Sequence, residues 1–386
     1  MKILIANDTF YPDLNGCAYF THRLALWLMG RGHEVLVIAP SRTFRSEWTE
    51  RGGVKVFGVW SLPTIHYAEF RFCLPFFIKS PIARAIREFK PDVVHVQGHF
   101  MVGRTVVKAA RELGLKVMGT NHFMPENLLP YLHLPRRAEE WLTRKAWNDF
   151  RSIFEKLDHV TSPTQTAVDL VKKYGFSAPI QVVSNGIDLK RFRPGLDAAY
   201  LKGRYQLPDK PIMLYVGRLD TEKNVALILR ALAKVDPAVA PHFLIGGKGF
   251  ETKGLKELTQ TLGLGDRVTF AGFVPDEDLP SLYNVADAFV IAGIAELQSL
   301  VTMEAMATGL PVIGVDAMAL PELVHDQENG YSFPPGDADR LAQAIQALFT
   351  DEERRKKMGQ KSLEIIQAHS IDKVMSTFES LYASLV

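Results

Sequence analysis

The sequence predicts an α/β protein built from two doubly wound parallel sheets in tandem. Three observations lead there. Short, nearly continuous apolar runs rich in Val and Ile recur along the chain, the pattern of strands covered on both faces. Stretches long enough for amphipathic helices separate them, which implies right-handed βαβ units. The alternation occurs twice, broken by a turn-rich segment running from Asn185-Gly186-Ile187-Asp188 to Phe192-Arg193-Pro194-Gly195.

In order along the first half, strands are expected over residues 2–7, 34–38, 54–59, 93–97, 117–121, 160–163 and 181–184. In the second half they are expected over 212–217, 243–246, 268–271, 288–291 and 312–315. The tail, 353–386, reads as two helices with little strand character, long enough to return to the first domain. The expected domains are therefore 1–190 together with 370–386, and 191–369. Open α/β sheets bind ligands at the carboxyl ends of their strands, so two such sheets facing one another would hold a ligand along the cleft between them.

Composition narrows the function. At 47% hydrophobic and 23% charged residues the chain reads as globular, and its 386 residues suit two to three domains at about 150 residues each. No apolar run approaches the roughly 18 residues of a membrane-spanning helix. The apolar stretch after Met1 is too short for a secretory signal. Two cysteines, Cys17 and Cys73, neither staple a chain of this size nor build a Cys-rich metal site, and a reducing cytoplasm is the expected home. The net charge of +2 hides an asymmetry: residues 1–193 carry +10 and the remainder −8, and all five Trp lie in the first half. The first half is thus expected to face an acidic partner. Its basic character comes with no nucleic-acid-binding motif.

The residues that carry chemistry follow strands. After the strand ending at Gly217, Arg218 and Lys223 flank a turn, where a guanidinium fork and an ammonium suit a diphosphate; alone they could equally be solvated surface cations. Ile245-Gly246-Gly247-Lys248-Gly249 lets backbone approach a ligand, or simply makes a tight turn. It is not a P-loop, and the turn from Asp8 to Gly16 lacks the G-x-G-x-x-G fingerprint, which argues against a nicotinamide enzyme. A helix is expected to begin near Gln298 and end at Gly309, with the amides of Gln298, Ser299 and Leu300 open to phosphate oxygens. Glu296 precedes that end and Glu304 lies about 12 Å further on, at about 1.5 Å per residue. In the first half, His122 and Glu126 follow a strand where an acceptor could be oriented, and His95 and His99 flank another strand end. A structural hydrogen-bonding role is the competing reading for each, and the histidines show no metal spacing.

Glu296-x7-Glu304 and Gly217-Arg218-Leu219-Asp220-x-Glu222-Lys223-Asn224 together resemble glycosyltransferase family 4, which has the GT-B architecture of two Rossmann-like domains. Asp13-Leu14-Asn15-Gly16, Ser184-Asn185-Gly186-Ile187-Asp188 and Gly314-Val315-Asp316 through Pro321-Glu322 fit as well. The segment from Thr120 to Leu128 is similar to the branch that glycosylates diacylglycerol-type lipids. The resemblance implies a retaining hexosyltransferase using a nucleoside-diphosphate sugar, UDP-glucose ahead of GDP-mannose, with no cofactor and no metal. It implies that Arg218 and Lys223 bind the diphosphate, that Glu304 takes the ribose hydroxyls and that Glu296 takes those of the transferred sugar. Gly16, Gly217, Gly247 and the amides of Gln298, Ser299 and Leu300 would line the donor, with Val274 meeting the base. His122 would lie beside the reacting sugar, with His99 and Glu126 on the acceptor side. Gln298 stands where many family members carry Gly or another small residue.

Two other functions share these features: a sugar-nucleotide 2-epimerase of the same architecture, and a non-catalytic sugar-nucleotide binder. Finally, residues 65–79, continuing to Lys90, and the segment from Arg136 to Trp147 interleave aromatics with cations. They are expected to dock the first domain on an anionic membrane surface, on the inner face of the cell membrane.

Overall fold

The computed structural model describes residues 1–13, 15–64, 71–125 and 135–386. Packing divides the chain into two units, residues 1–185 with 372–386, and residues 186–371.

In the first unit the order is β1 (Lys2–Ala6), α1 (Gly16–Gly30), β2 (Glu34–Pro40), β3 (Glu47–Arg51), β4 (Val54–Val59), a small ribbon of β5 (Leu62–Pro63) and β6 (Arg71–Phe72), and α2 (Pro75–Phe89). Then follow β7 (Val93–Val96), α3 (Met101–Glu112), β8 (Lys116–Thr120), α4 (Arg136–Phe154), β9 (His159–Ser162), α5 (Gln165–Lys173) and β10 (Gln181–Val182). Among the described residues the sheet runs β10-β9-β8-β7-β1-β2-β4-β3. It is parallel except where β3 pairs antiparallel with β4. The apolar runs of β1, β2 and β7 are buried almost throughout, as strands covered on both faces must be. Asn15 starts α1 by accepting the Ala18 amide at 2.9 Å, and Thr164 caps α5 in the same way. Trp147, Phe150 and Phe154 of α4 are fully buried and join the core beneath β8 and β9.

The second unit holds α6 (Ala199–Arg204), β11 (Ile212–Val216), α7 (Val225–Leu232), β12 (His242–Gly246), α8 (Thr252–Thr261), β13 (Val268–Gly272), α9 (Leu279–Val285) and β14 (Ala288–Ile291). It continues with α10 (Leu300–Ala307), β15 (Val312–Val315), β16 (Gly330–Phe333), α11 (Ala338–Thr350) and α12 (Glu352–Ile366). Its sheet, β13-β12-β11-β14-β15-β16, is parallel throughout. Strand order reverses at β11, so the ends of β11 and β14 form the switch point where a ligand site is expected.

The last helix, α13 (Ile371–Leu385), packs in the first unit and buries Val374, Met375, Phe378 and Tyr382, one face at helical spacing. The join lies five residues earlier than the sequence suggested, and the return two residues later. The cause is local. Ile187 donates to the His369 carbonyl at 2.8 Å and accepts from the Ile371 amide at 2.9 Å, which holds both passages in the second unit.

Candidate functional site

In the second unit the loops after β11 and β12 are knitted through glycine. Gly217 donates to the Gly246 carbonyl at 2.9 Å, Gly247 to Gly272 at 2.7 Å and Leu219 to Lys248 at 3.0 Å. Gly247 has φ +143°, and a Cβ there would lie 1.8 Å from the Gly217 oxygen. Gly247 is thus required first for backbone contact between two loops. Tyr215, buried beneath them, donates to the Arg218 carbonyl at 2.7 Å, and burial among carboxylates pushes its phenol well above the ordinary value.

Both cations of the turn have carboxylate partners. Arg218 meets Asp220 at 2.7 Å and Glu222 at 2.8 Å, while Lys223 meets Glu296 at 2.7 Å with both side chains mostly buried. Asp220 also accepts the Phe250 amide at 3.1 Å, so it ties Arg218 to the glycine-rich loop. Lys223 ends a single 3-10 turn, Thr221–Lys223, and Asn224 turns the chain at φ +50° into α7. Sequence reading named Arg218, Lys223 and Glu296 but missed Asp220 and Glu222 as partners. The four-residue spacing from Arg218 to Glu222 was the available signal.

The helix expected to begin near Gln298 starts two residues later. Ser299 is its cap, accepting from the Thr302 amide at 3.4 Å and hydroxyl at 2.8 Å, and α10 begins at Leu300. Among the described residues the amides of Ser299 and Leu300 have no protein acceptor, at the positive end of the helix dipole. Gln298 is buried. Glu304 lies one turn into α10 and accepts from the buried Tyr283 hydroxyl at 2.8 Å. Val274 is buried, whereas its neighbour Phe273 is 58% exposed.

In the first unit, Gly16 opens α1 beside the Asn15 cap. His122 follows β8, partly exposed, with its ring 5.0 Å from that of Phe20 and its Nε2 2.9 Å from Gln97 Oε1. Burial holds its pKa down at about 4. His99 is buried, with its Nε2 3.7 Å from Asp149. Its ring is 2% exposed and enclosed by Phe100, Phe123 and Phe150, which corrects its reading as an acceptor-side residue. Glu126 lies outside the described residues.

The same burial predicts acid lability. His95, His99 and His122 are held down at about 3, 4 and 4, against an ordinary 6.5. A histidine whose folded pKa is depressed contributes stability above its unfolded pKa that is lost as pH falls toward the folded one. Each should cost about 1.4 kcal/mol per pH unit in that window. Thermal melts of the full chain should therefore drop steeply between pH 6.5 and 4. A melting temperature unchanged across that range would contradict the burial assigned to these rings.

Known proteins resemble this arrangement along nearly the whole chain. The description "Glycosyltransferase Family 4" matches residues 14–191, and "Glycosyl transferases group 1" matches 201–364. An alpha-monoglucosyldiacylglycerol synthase of Streptococcus pneumoniae is 26% identical over 98% of this chain and 85% of its own length. A GDP-mannose-dependent alpha-mannosyltransferase of Mycobacterium tuberculosis is 28% identical over 92% of this chain and 89% of its own. In fold, the chain superposes on sucrose-phosphate synthase of Thermosynechococcus elongatus with a TM-score of 0.83, at 22% identity, covering 100% of this chain and 99% of that one. An Anabaena protein crystallised with UDP-glucose superposes with a TM-score of 0.77 at 19% identity, each chain fully covered.

Proposed function

The chain belongs to glycosyltransferase family 4 and is a hexosyltransferase, and from that premise we propose that it moves a hexose with retention of configuration from a nucleoside-diphosphate sugar, UDP-glucose ahead of GDP-mannose, to a hydroxyl of a membrane glycerolipid. The observation that carries the reading is the grouping of Arg218, Lys223 and Glu296 on the turn after β11 and the segment before α10.

The bond from the anomeric carbon to the β-phosphate oxygen breaks, and its electron pair stays on the phosphate. Arg218, Lys223 and the Ser299 and Leu300 amides face that growing charge, where preorganised donors stabilise a transition state most. The acceptor hydroxyl attacks on the same face, and its proton passes to the departing phosphate oxygen. Cations do the phosphate work, so the reaction runs without a metal or cofactor. Lys223 reaches the phosphate by exchanging its contact with Glu296, which frees that carboxylate for the hydroxyls of the sugar. Glu304 takes the ribose, steadied by Tyr283. His122, after β8, is read as the first unit's own substrate contact.

The two glutamates should separate kinetically. Glu304→Ala is expected to raise the KM for donor about tenfold with kcat nearly kept, because ribose contacts change little along the reaction. Glu296→Ala is expected to lower kcat more strongly. Identical defects would leave no basis for two roles.

The likeness to a diacylglycerol glucosyltransferase and an exposed basic-aromatic surface on the first unit support the lipid acceptor. Phe76 is 88% exposed and Phe77 47%, on a helix whose Lys79, Arg84 and Arg87 are exposed, as is Lys90 just past its end. The second candidate is half corrected: Trp147 belongs to the core, while Trp141 is 59% exposed with Lys145 over its ring at 5.0 Å. Residues 65–70, part of the first candidate, lie outside the described ones. No helix among the described residues is long and apolar enough to cross a membrane. Cations near an anionic surface contribute about 1 kcal/mol each. The chain should therefore sediment with anionic vesicles at low salt, and Phe76→Ser with Phe77→Ser should weaken that binding several-fold. Equal, negligible sedimentation with anionic and neutral vesicles would remove the membrane partner and its cytoplasmic face.

Radiolabelled UDP- and GDP-sugars offered with diacylglycerol test the reaction itself. Transfer of label to lipid is the expected result. A new sugar nucleotide formed from donor alone would point to an epimerase instead.

A further inference from the structure

His122 ends a hydrogen-bonded file that runs through the apolar interior of the first unit. Its Nε2 lies 2.9 Å from Gln97 Oε1, and the Gln97 amide nitrogen lies 3.2 Å from both ring nitrogens of His95 at once, a contact with the face of that ring. His95 in turn meets the Thr120 hydroxyl through Nε2 and the Tyr382 hydroxyl through Nδ1, each at 2.7 Å, and Thr120 meets Thr161 at 2.7 Å. Apart from His122, every member is at most 2% exposed. Buried polar groups carry a desolvation cost that an apolar set would avoid, so a file of polar contacts reaching the surface at one residue calls for a reason at that residue.

The reason lies in the direction of the bonds. A carbonyl oxygen only accepts, so Gln97 requires the His122 proton on Nε2. The other nitrogen, Nδ1, then keeps its lone pair, and among the described residues it has no partner. Which nitrogen of an imidazole is protonated follows from the bond the other residue imposes. We propose that Gln97 is a positioning residue that locks His122 in the Nε2–H tautomer, so that Nδ1 accepts a hydrogen bond from a substrate hydroxyl, and that α13 holds Gln97 in register through Tyr382 and His95. The inference rests on the reading of His122 as a substrate contact, and goes beyond it by assigning the ring an acceptor's role.

The surroundings agree. Burial keeps the ring neutral above a pH of about 4, so a proton donor is not what the site offers at neutral pH. Phe20 of α1 packs on His122 and Phe378 of α13 packs on Phe20, ring to ring at 5.0 and 5.4 Å. The titratable groups of the described file are His95 on β7, kept neutral by burial, and the Tyr382 phenol on α13, whose pKa burial raises.

Nitrogen-15 NMR of the full chain with labelled histidine reads the tautomer without reference to activity. His122 should show a protonated Nε2 and a bare Nδ1. Gln97→Leu should release that restriction, mixing the tautomers, and lower kcat about tenfold or more. Gln97→Glu keeps an acceptor for Nε2–H, so it should retain most of kcat. Its added negative charge should move the acid limb of the pH profile upward by about one unit, a change that a merely structural residue would not produce. A proton on Nδ1 in the wild type would overturn the proposal. So would a Gln97→Leu variant with an unchanged His122 spectrum and kcat. Near wild-type turnover in His122→Ala would instead defeat the substrate-contact reading and the acceptor role with it, while leaving the tautomer measurement to stand.

Discussion

Alanine at Lys223 should cut turnover by about 10²-fold or more, and alanine at Arg218 by a similar factor. For Lys223 two effects add. The ammonium that would meet the departing phosphate is gone, and Glu296, held 2.7 Å from it and only 16% exposed, loses its counter-charge. The unpaired carboxylate then repels the same phosphate that it formerly released the lysine to meet. Arg218 differs, because Asp220 and Glu222 both hold it and its side chain is 46% exposed. Its loss should weaken donor binding as well as turnover. The Arg218 variant should melt close to the wild type, because its side chain is 46% exposed, whereas the Lys223 variant should melt lower, because it leaves the mostly buried Glu296 without its counter-charge. Steady-state kinetics with saturating donor decide the matter. Near wild-type kcat in both variants would mean that this turn does not carry the leaving group.

Gly247→Ala should be severely damaging to the second unit. At φ +143° an alanine is strained, and its methyl would occupy space 1.8 Å from the Gly217 oxygen, where backbone rather than a flexible side chain must give way. The hydrogen bonds from Gly217 to Gly246 and from Gly247 to Gly272 would be disturbed together. A loss of about 3 kcal/mol or more is expected, read as a shift in the urea midpoint with the slope unchanged. An unshifted midpoint would show that the two loops separate easily.

The parts of this molecule that were legible in its sequence are those set by local patterning. The runs Ile212–Val216 and Val93–Val96 declare themselves because strands buried on both faces admit little besides Val, Ile and Leu. β3 went unread because Glu47-Trp48-Thr49-Glu50-Arg51 is an edge strand with only partial burial, and polar alternation resembles a loop. β16, Gly-Tyr-Ser-Phe, is short and opens on glycine. In the candidate site, residue types after strand ends pointed to Arg218, Lys223 and Glu296, and the helix that follows pointed to Glu304. The contact between Lys223 and Glu296 spans 73 positions, and no periodicity reports it. The start of α10 was misplaced by two residues because the Ser299 hydroxyl can act as a cap only from outside the helix. His99 illustrates the deeper limit: a histidine after a strand reads alike whether it meets substrate or is walled in by Phe100, Phe123 and Phe150.

Because α13 completes the first unit from the far end of the chain, the part of the protein made first is finished last. Residues 1–185 emerge from the ribosome, and the whole of 186–371 follows before Phe378 and Tyr382 exist to cover Phe20 and His95. At about 5–20 residues per second that interval is roughly 10–40 s. Throughout it the first unit waits with an open apolar face, while the second, continuous in sequence, is free to fold. A chaperone that binds exposed apolar surface therefore has its longest opportunity on the nascent first unit, and a ribosome stalled before residue 372 would hold a chain whose second unit is whole and whose first is not.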